Sequence, residues 1–550
     1  MKRRIVLFGY FVSGIAALVY ELGWMRELST MLGSTAYAQG IMLGAYMAGL
    51  GIGGLIASRV VEKIEKPILW AVGAEVAVAA LSILTFVGLH FGPSIYFDII
   101  RRSGGVGLAP FLSGQFVLSF IIMALPTTAM GLTYPFLVKA LRNENALGTL
   151  AGQLYAVNTG GAIIGSIGTT FVLLPTIGVK GALIAAACFS SVAAFSFLLS
   201  GAEKSLEKDK TKTLFIVAAA VTAVIVALSL VPKRMDSPLG LGQAFYYKDS
   251  NDFKKYSAQR KTLFDREGIY SRVQVVQNPD GSKTLCNGAL DEGTDNAYDR
   301  VTTTMLAAVP ANSVSGPNGA LVVGLGTGYT SQTYHEMGFK QVDTVEINPD
   351  VLPASKYFIG DLPKDANSWD VIVDDARAHI LTTDKKYDCI TSEPSWPWSS
   401  GVAALFTQEF MTAAKSRLSD DGVFCQWLPN YLLHPDDVKM MYKTMRQVYD
   451  DVDVWAINFP NDYDAELLLV GHNKRTKNQT VIKDDIDKYI ASKKWDSELI
   501  APQCITPYAK TNELESALND KSVPLNTDNH SQLEYRVFWN FVRNATAGEK

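Results

Sequence analysis

Long apolar runs separated by short charged loops fill the first 231 residues, and a lipid bilayer is the solvent that suits them. About seven runs approach the roughly 20 residues that a helix needs to cross a membrane. They lie at 5–24, 36–57, 68–91, 111–137, 152–174, 181–199 and 214–231. The chain as a whole is only 19% charged and 48% hydrophobic, where soluble domains carry roughly 25% charge. The first run follows "MKRR" but is too long for a signal peptide and lacks a small-residue cleavage site, so it reads as a helix.

Loop charges set an orientation. Lys2, Arg3 and Arg4, then Arg59, Lys63 and Lys66, then Lys139 and Arg142, then Lys204, Lys208, Lys210 and Lys212 all fall on one side, which should be cytoplasmic. Arg101 and Arg102 run against this pattern. An odd number of spans then puts the C-terminal half on the non-cytoplasmic side. Gly40-x-x-x-Gly44, Gly49-x-x-x-Gly53 and Gly161-x-x-x-Gly165 have the spacing of close helix packing. Glu21 and Glu75 interrupt apolar runs. A carboxylate in lipid is costly, so each should face the bundle interior, unless Glu21 sits at the membrane surface beside Arg26. The net charge of −4, with no long basic block, argues against a nucleic-acid partner. Five cysteines scattered without CxxC or His spacing argue against a metal site.

From Pro232 the composition becomes that of a soluble protein. The expected organisation is a helical membrane domain at 1–231, a linker at 232–266, a small β subdomain at 267–310 and an α/β domain at 311–550. "SRVQVVQNPDGSKTLCNG" reads as a hairpin turned by Pro279-Asp280-Gly281. Beyond it, the strand candidates "ALVVGLG", "VDTVEI", "DVIV", "YDCITS" and "GVFCQWL" alternate with helical stretches. That alternation predicts a doubly wound parallel sheet.

Gly324, Gly326 and Gly328 stand where the first of these strands turns into a helix, so a ligand can lie against bare backbone. Glu346 ends the next strand about 20 residues on, placed to accept from both hydroxyls of a ribose. The pair favours an adenosine-type ligand, and a dinucleotide or S-adenosylmethionine both fit. Asp374 and Asp375 end the third strand. Asp375 suits an adenine amino group or a helix N-cap equally, and Asp374 suits the cap. Glu393 ends the fourth strand and Pro394 turns the chain away, which points the acid into the cleft. Trp396 and Trp398 follow, either packing the loop or offering faces to a cation. A carboxylate beside such faces suits an amine nucleophile that must lose a proton.

"VVGLGTG", "VEINPDV", "DDARAHI", "YDCITSEPSWPWSSGVAALFTQEF" and "LNTDNHSQLEYR" together resemble the spermidine synthase family of aminopropyltransferases. With "YELGWMREL", "LPTTAMGLTYPFL" and "YAVNTGGAIIGS" in the apolar half, the chain is similar to the membrane-fused branch of that family found in bacteria. The resemblance implies a transmembrane helical bundle in a bacterial inner (plasma) membrane. A doubly wound Rossmann-like domain of methyltransferase type follows, with a small N-terminal β-hairpin subdomain. It implies decarboxylated S-adenosylmethionine as donor, a polyamine as acceptor and no metal, and leaves a homo-oligomer open. Gly324, Gly326 and Gly328 would cradle the donor, Glu346 its ribose, Asp375 and Ala376 its adenine. Glu393 would be the base, with Asp291 and Tyr298 on the acceptor side. Three departures stand out. Thr327 replaces an Asp of the glycine loop that helps hold the donor amine, Glu393 stands alone where two Asp residues are usual, and the hairpin lacks a Gln near the donor. One alternative is a methyltransferase using intact S-adenosylmethionine on a membrane-associated substrate. Another is a transporter or sensor with a nucleoside-binding domain.

Overall fold

A computed structural model describes residues 2–102, 107–142, 147–200, 249–363, 368–399, 401–460, 462–493 and 500–547. The chain divides into two units, Met1–Phe253 and Lys254–Lys550.

The first unit is helical: α1 (Lys2–Leu32), α2 (Ala36–Val60), α3 (Pro67–Arg102), α4 (Leu108–Ala140), α5 (Leu147–Gly168) and α6 (Leu174–Leu199). Five described helices are long and apolar enough to cross a membrane. The fifth of these is a run of 52 residues, Gly148–Leu199, far longer than a bilayer requires. It passes through a π turn at Thr169–Leu173 and breaks at Gly178, whose φ of 67° and ψ of 179° leave the helical region. The contacts with α1 show the result. Gly161 and Gly165 of α5 meet Phe11 and Ile15, so α5 runs parallel to α1. Phe197 meets Gly9 and Leu183 meets Gly23, so α6 runs antiparallel to it. The long run is therefore folded back on itself, and its two arms correspond to the expected fifth and sixth runs. The expected run at 214–231 lies outside the described residues.

Glycine spacing is used selectively. A Cβ on Gly53 would lie 2.1 Å from the carbonyl oxygen of Thr128, and one on Gly131 would lie 2.2 Å from that of Leu50, so α2 and α4 touch backbone to backbone. Among the described residues Gly40 and Gly44 meet no backbone in this way. Glu21 and Glu75 are both buried in the bundle. Glu75 accepts hydrogen bonds from Ser13 of α1 at 2.6 Å and Thr133 of α4 at 3.4 Å.

The second unit opens with a four-stranded antiparallel sheet in chain order: β1 (Lys261–Glu267), β2 (Arg272–Gln277), β3 (Lys283–Asn287) and β4 (Leu290–Thr294). The expected hairpin is β2–β3. β1 occupies residues read as linker, because its charged positions mask the alternation of a strand that is exposed along much of one side.

An eight-stranded sheet follows, built from β5 (Gly319–Val323), β6 (Gln341–Glu346), β7 (Ser368–Val373), β8 (Tyr387–Ser392), β9 (Leu418–Leu428), β10 (Asp451–Phe459), β11 (Asp462–His472) and β12 (Ile505–Pro507). Its order is β7-β6-β5-β8-β9-β11-β10-β12. The five expected strands are the parallel ones, β5 to β9. Together they form the expected doubly wound parallel part, which β10, β11 and β12 extend with antiparallel pairs, so the whole sheet is mixed. β10 and β11 pair from Phe459↔Asp462 outward, and a connection that short permits only antiparallel strands. The chain moves outward from β5 through β6 to β7, then returns to the other side of β5 for β8. Where the winding reverses, the carboxyl ends of β5 and β8 diverge into a crevice, the usual ligand position in such sheets.

Candidate active site

The glycine loop leaves β5 at Gly324, whose N–H donates to the carbonyl of Val345 at 2.9 Å. Gly324, Gly326 and Gly328 have φ of 94°, 51° and 88°, a region that side chains with a Cβ rarely adopt. Gly328 is the N-cap of the helix Tyr329–Glu336, and a Cβ there would lie 2.6 Å from Cδ1 of Ile359. Glu346 braces this loop. Its Oε2 accepts from the N–H of Leu325 at 3.0 Å, and its Oε1 from the N–H of Asn348 at 2.8 Å. Burial pushes this carboxyl above its ordinary value, and the backbone donors pull it back down.

Glu393 meets the loop at the switch point. Its N–H donates to the carbonyl of Val323 at 3.3 Å, and Thr330 Oγ1, in the first turn of the helix Tyr329–Glu336, donates to its Oε2 at 2.8 Å. Burial pushes the Glu393 carboxyl up to about 8, and Glu466 and Asp299 add repulsion while Thr330 opposes the rise. Asp299, in the first turn of the helix Ala297–Ser313, accepts from the N–H of Thr294 at 2.5 Å, and burial raises it too. Glu466 of β11 accepts from Thr302 at 2.6 Å and from the indole N–H of Trp427 at 3.2 Å. Glu292 of β4 is pushed up to about 7 by burial, with Glu346 and Asp291 contributing repulsion. Where ionised, these clustered acids create a negative potential that favours a cation.

The other expected residues take varied places. Trp396 and Trp398 are buried, with ring centres 4.6 Å apart, and Tyr431 meets Trp396 edge-on at 6.4 Å. Their rings thus hold the loop after Glu393 in shape. Tyr298 is exposed and lies 5.2 Å from the ring of Phe459. Asp291 accepts from Arg260 at 3.5 Å and from the Cys286 thiol at 3.2 Å. Asp375 caps the helix Ala376–Thr382, accepting from the N–H of Ala378 at 2.8 Å, and Ala376 is buried at its start. The cap thus belongs to Asp375. Asp374, read above as the cap, instead accepts from the N–H of Asp375 at 2.8 Å, because the chain enters the helix one residue later. Sequence reasoning missed Glu292, Asp299, Glu466 and Thr330. Thr330 stands two residues beyond the last loop glycine, a position from which it could have been found.

The "LNTDNH" motif proves to be a clamp. Asn526 is fully buried. Its amide donates to the carbonyl of Phe406 at 2.9 Å and accepts from the N–H of Leu533 at 3.2 Å, and its backbone joins Thr444 and Gln408. Asp528 pairs with Arg377 and accepts from Thr407 at 2.8 Å. Together they fix the segment Val402–Phe406 downstream of the tryptophans. Asn526→Ala leaves buried backbone groups unpaired, at roughly 1–3 kcal/mol each. The expected outcome is a lower melting temperature with unchanged protein-ligand stoichiometry, checked by thermal unfolding in detergent with and without nucleoside.

Fold and site together define a Rossmann-like α/β domain with a glycine loop facing a partly buried acid. Residues 299–481 match the family model of the spermine/spermidine synthase domain. A polyamine aminopropyltransferase of Corynebacterium efficiens is 24% identical over 442 residues, covering 76% of each chain. That share exceeds what Lys254–Lys550 alone could supply, so the likeness reaches into the helical unit. A polyamine aminopropyltransferase of Thermoplasma volcanium is 27% identical over 193 residues, covering 34% of this chain and 69% of its own. The solved spermidine synthase from Thermotoga maritima is 18% identical, covering 47% of this chain and 87% of its own, with a TM-score of 0.37.

Proposed function

We propose that the chain is a membrane-anchored aminopropyltransferase that moves the aminopropyl group of decarboxylated S-adenosylmethionine to a polyamine. The Corynebacterium efficiens and Thermoplasma volcanium relatives, both polyamine aminopropyltransferases, support the reaction class. The observation that carries the assignment of parts is the meeting of Glu393 with the glycine loop at the carboxyl ends of β8 and β5. The five long apolar helices support anchorage.

In this reading the acceptor's ammonium loses a proton to the Glu393 carboxylate. The freed amine attacks the carbon next to the sulfonium, the new C–N bond forms, and the C–S bond breaks with its electron pair passing to sulfur. Methylthioadenosine leaves neutral. Holding the partners in line reduces the barrier, as positioning does generally. Glu346 holds the ribose while bracing the loop, and Asp375 and Ala376 border the adenine.

The test is product analysis by mass spectrometry on the purified full chain in detergent, given either donor and a polyamine mixture. Methylthioadenosine with a polyamine heavier by one aminopropyl unit is expected. S-Adenosylhomocysteine instead would assign methyl transfer, the reading that Thr327 in the glycine loop favours. Absence of both products from folded protein would overturn the proposal.

A further inference from the structure

β4 lies directly on the glycine loop. A Cβ on Gly293 would come within 3.0 Å of the Thr327 methyl group, so the two segments touch. The neighbouring residue, Glu292, is partly buried. The Ser395 hydroxyl lies 2.6 Å from one of its oxygens and 2.8 Å from the other. Ser395 stands two residues beyond Glu393, and Glu346 is close enough to repel the Glu292 charge. One carboxylate thus adjoins the bracing acid, the glycine loop and the loop that carries the base. Among the described residues no Lys, Arg or His forms an ion pair with it; its hydrogen-bond partners are Ser395 and Asn287. A partly buried carboxylate with only neutral partners is an open position for a cation.

We propose that Glu292 anchors the primary ammonium of the donor's aminopropyl chain and so selects the decarboxylated donor over intact S-adenosylmethionine. The inference rests on the aminopropyltransferase reading above and deepens it. Thr327 cannot supply a charge from within the glycine loop, and Glu292 supplies one from the strand that covers it. The intact donor carries a carboxylate beside its ammonium. Facing Glu292, with Glu346 close by, that carboxylate meets like charge, and repulsion becomes the basis of discrimination.

Titration calorimetry on the full chain in detergent separates the roles, using decarboxylated S-adenosylmethionine, intact S-adenosylmethionine and methylthioadenosine, which lacks the amine. Glu292→Gln is expected to weaken the decarboxylated donor by roughly 10- to 100-fold, the usual worth of a charged hydrogen bond. Methylthioadenosine should bind the variant as it binds the native chain. The preference for the decarboxylated over the intact donor should narrow, and Glu292→Asp should restore part of it. Equal weakening of all three ligands would make Glu292 a structural residue and overturn the anchor. So would unchanged affinity for the decarboxylated donor. A native chain that binds methylthioadenosine but neither donor overturns the anchor and leaves the nucleoside site standing. A native chain that binds none of the three overturns the functional reading itself.

Discussion

Glu393→Gln should lower kcat by roughly 10²- to 10⁴-fold, the usual worth of a positioned general base, while methylthioadenosine binds much as before. The amide is nearly the same size and still accepts from Thr330, whose hydroxyl lies 2.8 Å from Oε2 in the native chain. It cannot take a proton from an ammonium. Stopped-flow or quenched assays with saturating donor separate this loss from a binding defect. A variant that turns over at the native rate would remove Glu393 from the chemistry.

The pH dependence follows from the same carboxyl, pushed up to about 8 by burial. The base works only when ionised, so kcat/KM should rise with pH through about 8 and fall roughly tenfold per pH unit below it. A bound ammonium stabilises the ionised form, so the corresponding limb of kcat should lie at lower pH. Stability runs the opposite way. A carboxyl raised from 4.5 to about 8 holds its proton more tightly when folded. Its contribution to stability is fully present below 4.5 and is lost as pH rises through about 8. Glu393→Gln should therefore raise the melting temperature above pH 8 relative to the native chain and leave it nearly unchanged near pH 4. Melting curves at both pH values check the sign.

Much of the site was legible because one-dimensional order survives in a parallel sheet. Each of β5, β6, β7 and β8 brings its carboxyl end to the same edge, so Glu346 at the end of its strand, and Gly324, Asp374 and Glu393 just past the ends of theirs, could be placed by reading strand ends. What could not be read was contributed from across the fold. Glu292 arrives on β4, Asp299 on the following helix and Glu466 on β11, and no local spacing ties them to Glu393. The sequence leaves the cap open between Asp374 and Asp375, because capping depends on where the chain enters the helix, a matter of one residue. In the helical unit the first six runs, the ones that fall on described residues, were legible from hydropathy alone. The break at Gly178 sits in the short gap left between two of those runs, but the direction of each arm along α1 required the contacts of Gly161 and Leu183.

Glu346→Gln should be far more damaging than its near-identical shape implies. Both oxygens of the native carboxylate accept from backbone: Leu325 N–H at 3.0 Å on one, Asn348 N–H at 2.8 Å on the other. An amide offers one acceptor and one NH₂ group, so either flip sets a donor against a donor. One backbone N–H loses its partner in a buried setting, at roughly 1–3 kcal/mol, and the loop Gly324–Gly328 must shift to relieve the clash. The glycine loop is the surface on which the nucleoside would lie, so methylthioadenosine and the decarboxylated donor should weaken together, by roughly 10- to 100-fold. That joint loss separates Glu346 from Glu292, whose amide variant should spare methylthioadenosine. Calorimetry with both nucleosides on both variants gives the comparison directly. A Glu346→Gln chain that bound methylthioadenosine with native affinity would mean that the carboxylate neither shapes the loop nor touches the sugar, and the nucleoside site would have to be sought elsewhere on the sheet.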